Sequence, residues 1–173
     1  MLIKYITKNY KQTQRLGKNF AEEILKMSAG KTAVVLGLKG NLGGGKTTFL
    51  QGFARGIGIK EKILSPTFVV LKHFKIPQKN ANYSLPTTNY TDFYHIDCYR
   101  INKPKEILEL GFKEIISDPK NIVAIEWPEK IKKVLSRLLE GSRGSSTKSG
   151  PKSFIKINFK FIDKNTREII FKM

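Results

Sequence analysis

Residues 39 to 50 read KGNLGGGKTTFL, and within them Gly40-Asn41-Leu42-Gly43-Gly44-Gly45-Lys46-Thr47 fits G-x-x-x-x-G-K-[ST]. Context decides whether such a match is a phosphate-binding loop or a glycine-rich turn with an exposed lysine. Before it, Thr32 to Leu38 is a short apolar, β-branched run of the kind a buried parallel strand requires. After it, Thr47 to Arg55 can continue as a helix. Strand, glycine loop and helix is the required order. The glycines let backbone N–H groups turn inward on an anion, beside the positive end of the helix dipole. Lys46 then reaches β- and γ-phosphates, and the Thr47 hydroxyl binds Mg²⁺. The chain reads as a nucleotide-binding protein.

Composition bounds the rest. At 173 residues and 40% hydrophobic content, one domain over residues 1–173 is expected. No apolar run approaches the ~20 residues a bilayer span needs, and the opening MLIKYITKNYKQ lacks the apolar stretch of a secretory signal. A lone cysteine, Cys98, excludes an internal disulfide, and two histidines leave no zinc cluster. These features describe a soluble cytoplasmic domain without a membrane partner. The net charge of +18 has two readings, contact with a polyanion or a solvated lysine-rich surface. The basic residues run from Lys4 to Lys172 without a dominant block, and no RNA-binding pattern of interleaved aromatics accompanies them. Charge alone names no function.

The order of elements is α/β. Leu2 to Thr7 reads as an edge strand, and Asn9 with Gln12 as a helix cap and its reciprocal partner. Leu16, Phe20, Ile24 and Leu25 supply that helix with an apolar face. Beyond the loop unit, strands are predicted at Thr67 to Leu71, Phe93 to Asp97 and Ile122 to Ile125, with a short helix at Glu106 to Leu110. A helix follows Glu129, with Ile131, Val134, Leu135 and Leu138 at helical spacing. Phe154 to Phe161 and Glu168 to Lys172 form a closing hairpin around Asp163 to Thr166. Pro77 to Thr91 reads as a surface insertion and Gly141 to Ser153 as a flexible Gly/Ser linker, neither needed for the core.

A nucleotide hydrolase needs carboxylates near the metal and the attacking water, at carboxyl ends of strands beside the phosphate loop. Glu126, ending IVAIE, has the Walker B arrangement, and Asp97 ends FYHID. Either could instead be a strand-end carboxylate making a cap or an ion pair. Ser65-Pro66-Thr67 lies where switch segments sense a γ-phosphate, and could equally be a turn. Trp127 is a packing residue or a partner contact; spacing does not choose.

GNLGGGKTTF, SPTF, HIDCYR and AIEWPE, in this order, resemble the TsaE (YjeE) family over nearly the whole chain, including Leu16-Gly17 and the ELGF at Glu109 to Phe112. The resemblance implies a P-loop NTPase-like three-layer sandwich with a central, mostly parallel sheet. It implies a small ATPase that assists, without itself transferring the group, the complex that places threonylcarbamoyl on the adenosine beside the anticodon of tRNA. Partners would be TsaB- and TsaD-type proteins, with tRNA near or in contact. By position, Gly40, Asn41, Leu42, Gly43, Gly44, Gly45, Lys46, Thr47 and Thr48 would bind ATP. Thr47 and Glu126 would hold Mg²⁺, Asp97 and Glu126 would serve hydrolysis, Ser65-Pro66-Thr67 would be the switch, and Trp127 matches a sensitive family tryptophan. The adenine would lie near the first helix and the late hairpin loop. Asn41 replaces the usual aspartate, which removes a negative charge and any base at that position. The runner-up is a small-molecule P-loop kinase, which needs an acceptor pocket and commonly an arginine-bearing lid; only Arg100 stands near a strand end. A GTPase needs N-K-x-D, and Asn102-Lys103-Pro104-Lys105 lacks the aspartate. A purely RNA-binding module would leave Lys46, Thr47 and Glu126 unused.

Overall fold

The computed structural model describes residues 1–64, 70–78, 88–140 and 154–172. Seven strands form one sheet: β1 (Leu2–Thr7), β2 (Val34–Lys39), β3 (Leu71–Lys75), β4 (Asp92–Asp97), β5 (Asn121–Glu126), β6 (Phe154–Phe161) and β7 (Arg167–Lys172). Their order across the sheet is β1-β7-β6-β2-β5-β4-β3. The pairs β6–β2, β2–β5 and β5–β4 are parallel, while β1–β7, β7–β6 and β4–β3 are antiparallel. Five strands therefore point one way, and only β3 and β7 run against them. The central strand β5 is buried at every residue, which is why NIVAIE carries no alternation.

Helices cover both faces, giving three layers. On one face α1 (Tyr10–Lys26) and α2 (Lys46–Gly56) pack with Leu36, Leu38, Ile122, Ala124 and Ile157. On the other, α3 (Phe112–Ser117) and α4 (Lys132–Glu140) pack with Val35, Val123 and Ile125. The Asn9 cap forms as expected, its side chain accepting from the Gln12 amide at 2.9 Å. The reciprocal bond reaches one residue further back, from the Lys8 amide to the Gln12 side chain at 2.8 Å. Ile24 and Leu25 are buried, but Leu16 and Phe20 sit at the rim and the line of closest approach runs through Gly17 and Ala21. A Cβ on Gly17 would stand 2.2 Å from the Phe49 carbonyl oxygen, and one on Gly52 1.8 Å from that of Gln14. Glycine thus lets the two helix backbones touch, and α1 clamps the helix that carries the phosphate-loop lysine.

Three expectations need correction. The strand after the loop helix runs Leu71–Lys75, past the expected end at Leu71; positions 67 to 69 of the expected strand lie outside the described residues. As an edge strand it needs only one covered face, so Lys72, His73 and Lys75 belong to it. The stretch from Pro77 to Thr91 is not wholly superficial, because Tyr90 is fully buried in the core and the Ile76 amide donates to the Thr91 carbonyl at 2.8 Å. Its residues 79–87, and the linker at 141–153, lie outside the described residues. Finally, α3 was not anticipated, and the short helices at Pro104–Leu110 and Pro128–Ile131 are 3-10 turns. Among the described residues no helix is long and apolar enough to cross a membrane.

Candidate functional site

Parallel strands β2, β5 and β4 end side by side, and their carboxyl ends carry the chemistry. From β2 the chain enters the glycine loop, where Gly40, Gly43 and Gly45 hold φ of 151°, 71° and 95°. Only glycine takes such values without strain, and at Gly40 a Cβ would also meet the Phe159 carbonyl oxygen at 2.3 Å. Gly45, in the left-handed region, directly precedes α2, so Lys46 is its first residue. The Lys46 side chain turns back over the loop and donates to the Gly40 and Asn41 carbonyls at 2.8 and 3.0 Å. It is 5% exposed, and burial pulls its amine below the usual lysine value against the attraction of Glu126, Asp97 and Glu129. A buried cation whose hydrogen bonds go to neutral carbonyls is suited to receive anionic oxygens.

Glu126 ends β5 opposite Asp97 on β4 and Leu38 on β2. Strand alternation turns Ala124 and Glu126, like Phe93, His95 and Asp97, toward the face that α2 covers. There the Thr47 hydroxyl donates to Glu126 Oε1 at 3.0 Å. Glu126 is 2% exposed. The same carboxylate oxygen meets Nε2 of the fully buried His95 at 3.0 Å. His95 Nδ1 has no hydrogen-bond partner among the described residues. The arrangement therefore favours the tautomer with its proton on Nε2, since a proton on Nδ1 would leave a buried donor unpaired and turn a lone pair on the carboxylate. His95 thus orients Glu126. Asp97 accepts from the Tyr99 amide at 3.0 Å through Oδ1.

Trp127 has a packing role. It packs within the site, its ring centroid 4.2 Å from Lys46 Nζ and 5.2 Å from the Tyr99 ring. Among the described residues it is the one non-glycine with positive φ, at 57°, and its amide donates to the Leu38 carbonyl at 3.1 Å. That backbone strain, set immediately after Glu126, is held by the β2–β5 frame.

The structure gathers Gly40 to Thr48, Asp97, Glu126 and Trp127 around one loop, whereas Ser65-Pro66-Thr67 lies outside the described residues. Two residues the motifs did not single out join them. His95 was hidden inside HIDCYR, where strand alternation with Asp97 was the available signal. Arg167, the first residue of β7, donates through Nε to the Gly43 carbonyl at 3.1 Å, a contact across 124 positions that no local pattern announces. No group of three or more His, Cys, Asp or Glu among the described residues could hold a metal by itself. Thr47 with one carboxylate fits a hard cation that takes its remaining ligands from phosphates and water.

A model of the threonylcarbamoyl adenosine biosynthesis protein TsaE matches residues 7–167, spanning every motif named above. The chain belongs to the TsaE family. It is similar to the tRNA threonylcarbamoyladenosine biosynthesis proteins TsaE of Rickettsia typhi, 34% identical over 91% of this chain and 85% of the relative, and of Bacillus subtilis, 32% identical over 77% and 71%. The crystal structure of Bacillus subtilis YdiB superimposes with a TM-score of 0.60 at 25% identity, covering 99% of this chain and 84% of that one. TsaE membership gives the chain a place in tRNA threonylcarbamoyladenosine biosynthesis and a P-loop NTPase-like fold.

Proposed function

We propose that this protein binds ATP with Mg²⁺ and hydrolyses it as an accessory subunit of a cytosolic assembly. That assembly, built with TsaB- and TsaD-type proteins, makes N6-threonylcarbamoyladenosine beside the anticodon of tRNA. The observation that supports this best is the chain of contacts from Lys46 on the loop carbonyls, through Thr47 on Glu126, to Glu126 on His95. It aligns a phosphate-binding cation, a metal-binding hydroxyl and a fixed carboxylate at the carboxyl ends of parallel strands. Held by Thr47, Glu126 and phosphate oxygens, Mg²⁺ would neutralise charge developing on the transferred phosphoryl group.

The protein's own residues do the positioning. Lys46 exchanges its two carbonyl acceptors for terminal phosphate oxygens, which are stronger partners for a buried cation. The indole of Trp127 confines that amine from one side. Asn41 can orient a water through its amide but cannot take its proton, which leaves that task to the Asp97 carboxylate. The Cys98 thiol takes no part: burial and the adjacent Asp97 and Glu129 push it up to about 12.

Calorimetry and phosphate release test the reading. Wild type should bind Mg-ATP and hydrolyse it slowly alone, with clear stimulation by the partner proteins. Lys46→Ala should weaken ATP binding at least 100-fold. Unchanged affinity in that variant would remove the phosphate-loop assignment, and phosphate delivered to a small-molecule acceptor instead of water would make the protein a kinase.

A further inference from the structure

On the face of the sheet away from α1 and α2, α4 packs over β2 and β5, and among the described residues Lys156 of β6 and Lys172 of β7 stay exposed. Ile155, Ile157, Phe159, Ile169 and Phe171 point to the α1/α2 core, so alternation sends Lys156 and Lys172 to the open side. Their register places them directly opposite one another. Like charges in that position repel. Lys39 from the end of β2 and Lys132 from α4 join them around one groove of about 530 Å³, with Asn158 on its wall and the Phe154 ring lying across Gly37.

The lysine ion pairs among the described residues lie away from this groove. Lys4 pairs with Glu168, Lys18 with Glu22, Lys26 with Glu23 and Lys75 with Asp92. Among the described residues none of the four groove lysines forms an ion pair, and one acidic side chain, Glu129, lines the groove with them. A chain of net charge +18 has thus gathered four unneutralised ammonium groups on an open, partly aromatic surface.

We propose that this groove binds the phosphate backbone of an RNA, and that the RNA is tRNA. The chemistry points to phosphodiesters: lysines are point charges that grip phosphates without reading bases, and repulsion between Lys156 and Lys172 is relieved when an anion lies between them. RNA is favoured over an acidic protein because a polyphosphate chain presents evenly spaced charge along an open groove. The choice of tRNA rests on the proposed function; binding of RNA by the groove does not. Lys39 immediately precedes the glycine loop, so bound RNA would lie next to the nucleotide site without entering it.

Fluorescence anisotropy of the full chain with a labelled, unmodified tRNA transcript between 50 and 200 mM salt, figures on the order of physiological ionic strength, tests this. Lys156→Gln with Lys172→Gln should weaken binding at least tenfold and lower the slope of log affinity against log salt by about two. Lys11→Gln with Lys18→Gln, on the outer side of α1, should change either by less than twofold. Equal losses in both double variants, or no tRNA binding by wild type at the lowest salt, would overturn the proposal. So would wild-type tRNA binding by the groove variant together with lost binding of polyglutamate, which would assign the groove to an acidic protein surface. Calorimetry with Mg-ATP on the same preparations keeps the two readings apart. Wild type that binds Mg-ATP but no tRNA counts against the groove alone, and wild type that binds tRNA but no Mg-ATP counts against the ATPase alone.

Discussion

His95 shows how much a single buried side chain can decide. Its Nε2 lies 3.0 Å from Glu126 Oε1, the oxygen that also accepts from Thr47. Partners behind a metal ligand fix its orientation, and their loss typically costs 10- to 100-fold in metal affinity. His95→Leu should therefore raise the Mn²⁺ or Mg²⁺ concentration needed for half-saturation of the ATP complex by roughly tenfold. Metal-free ATP binding should stay near wild type and report that the fold is intact. His95→Gln, whose amide can donate from a similar place, should recover part of the loss. Metal affinity measured by Mn²⁺ paramagnetic resonance checks this, and an unchanged value in His95→Leu would leave the histidine a packing residue only. Lys46, Thr47, Asp97 and Glu126 were legible because each occupies a fixed place after a strand or a glycine loop. The contact of His95 with Glu126 was not, since a contact between neighbouring strands depends on register, and register is set by the whole sheet.

At the level of elements, buried strands and amphipathic helices announced themselves, while the polar edge did not. The strand reading stopped at Leu71 and missed LKHFK, whose lysines and histidine give no apolar run in a short window. What holds β3 is partly electrostatic: Asp92, at the start of β4, accepts from His73 Nε2 at 2.5 Å, Lys75 Nζ at 2.6 Å and Thr91 Oγ1 at 2.6 Å. Burial alone would raise the Asp92 carboxyl, but hydrogen bonds from Lys75, Thr91 and His73 outweigh it and lower it to about 2. A carboxylate depressed in the folded state stabilises above its unfolded pKa, about 3.9. That contribution fades as pH falls from about 4 through 2, and solvent screening at the sheet edge keeps it to about 1–2 kcal/mol. Asp92→Asn should thus lower urea stability at pH 7 by about that amount, and the gap from wild type should close toward pH 2. A gap independent of pH would mean that lost packing, rather than charge, is responsible.

At the scale of the whole molecule, the sheet brings its first and last strands together, Leu2 opposite Lys172, and swings the closing hairpin over the glycine loop. Arg167 makes the junction. Its Nε donates to the Gly43 carbonyl at 3.1 Å, and its Nη1 to the carbonyls of Asp163 and Thr166 at 2.7 and 3.0 Å. The guanidinium also lies over the Phe161 ring, 4.5 Å from its centroid. One rigid fork therefore fixes the hairpin turn and the loop to each other, which a lysine cannot do. The loop must hold its N–H groups converged before an anion arrives, so untying it adds an ordering cost to nucleotide binding. A charge-assisted hydrogen bond of about 1.5 kcal/mol corresponds to roughly tenfold in affinity. Arg167→Ala should accordingly weaken Mg-ATP binding about tenfold and shrink the rise in melting temperature that saturating Mg-ATP gives the wild type. Arg167→Lys, with charge but no fork, should fall nearer to the alanine variant than to wild type. Hydrogen exchange at the Gly43 to Lys46 amides should quicken in the ATP-free alanine variant. Wild-type affinity and wild-type exchange in Arg167→Ala would mean that the loop holds its shape alone, and that the hairpin merely rests against it.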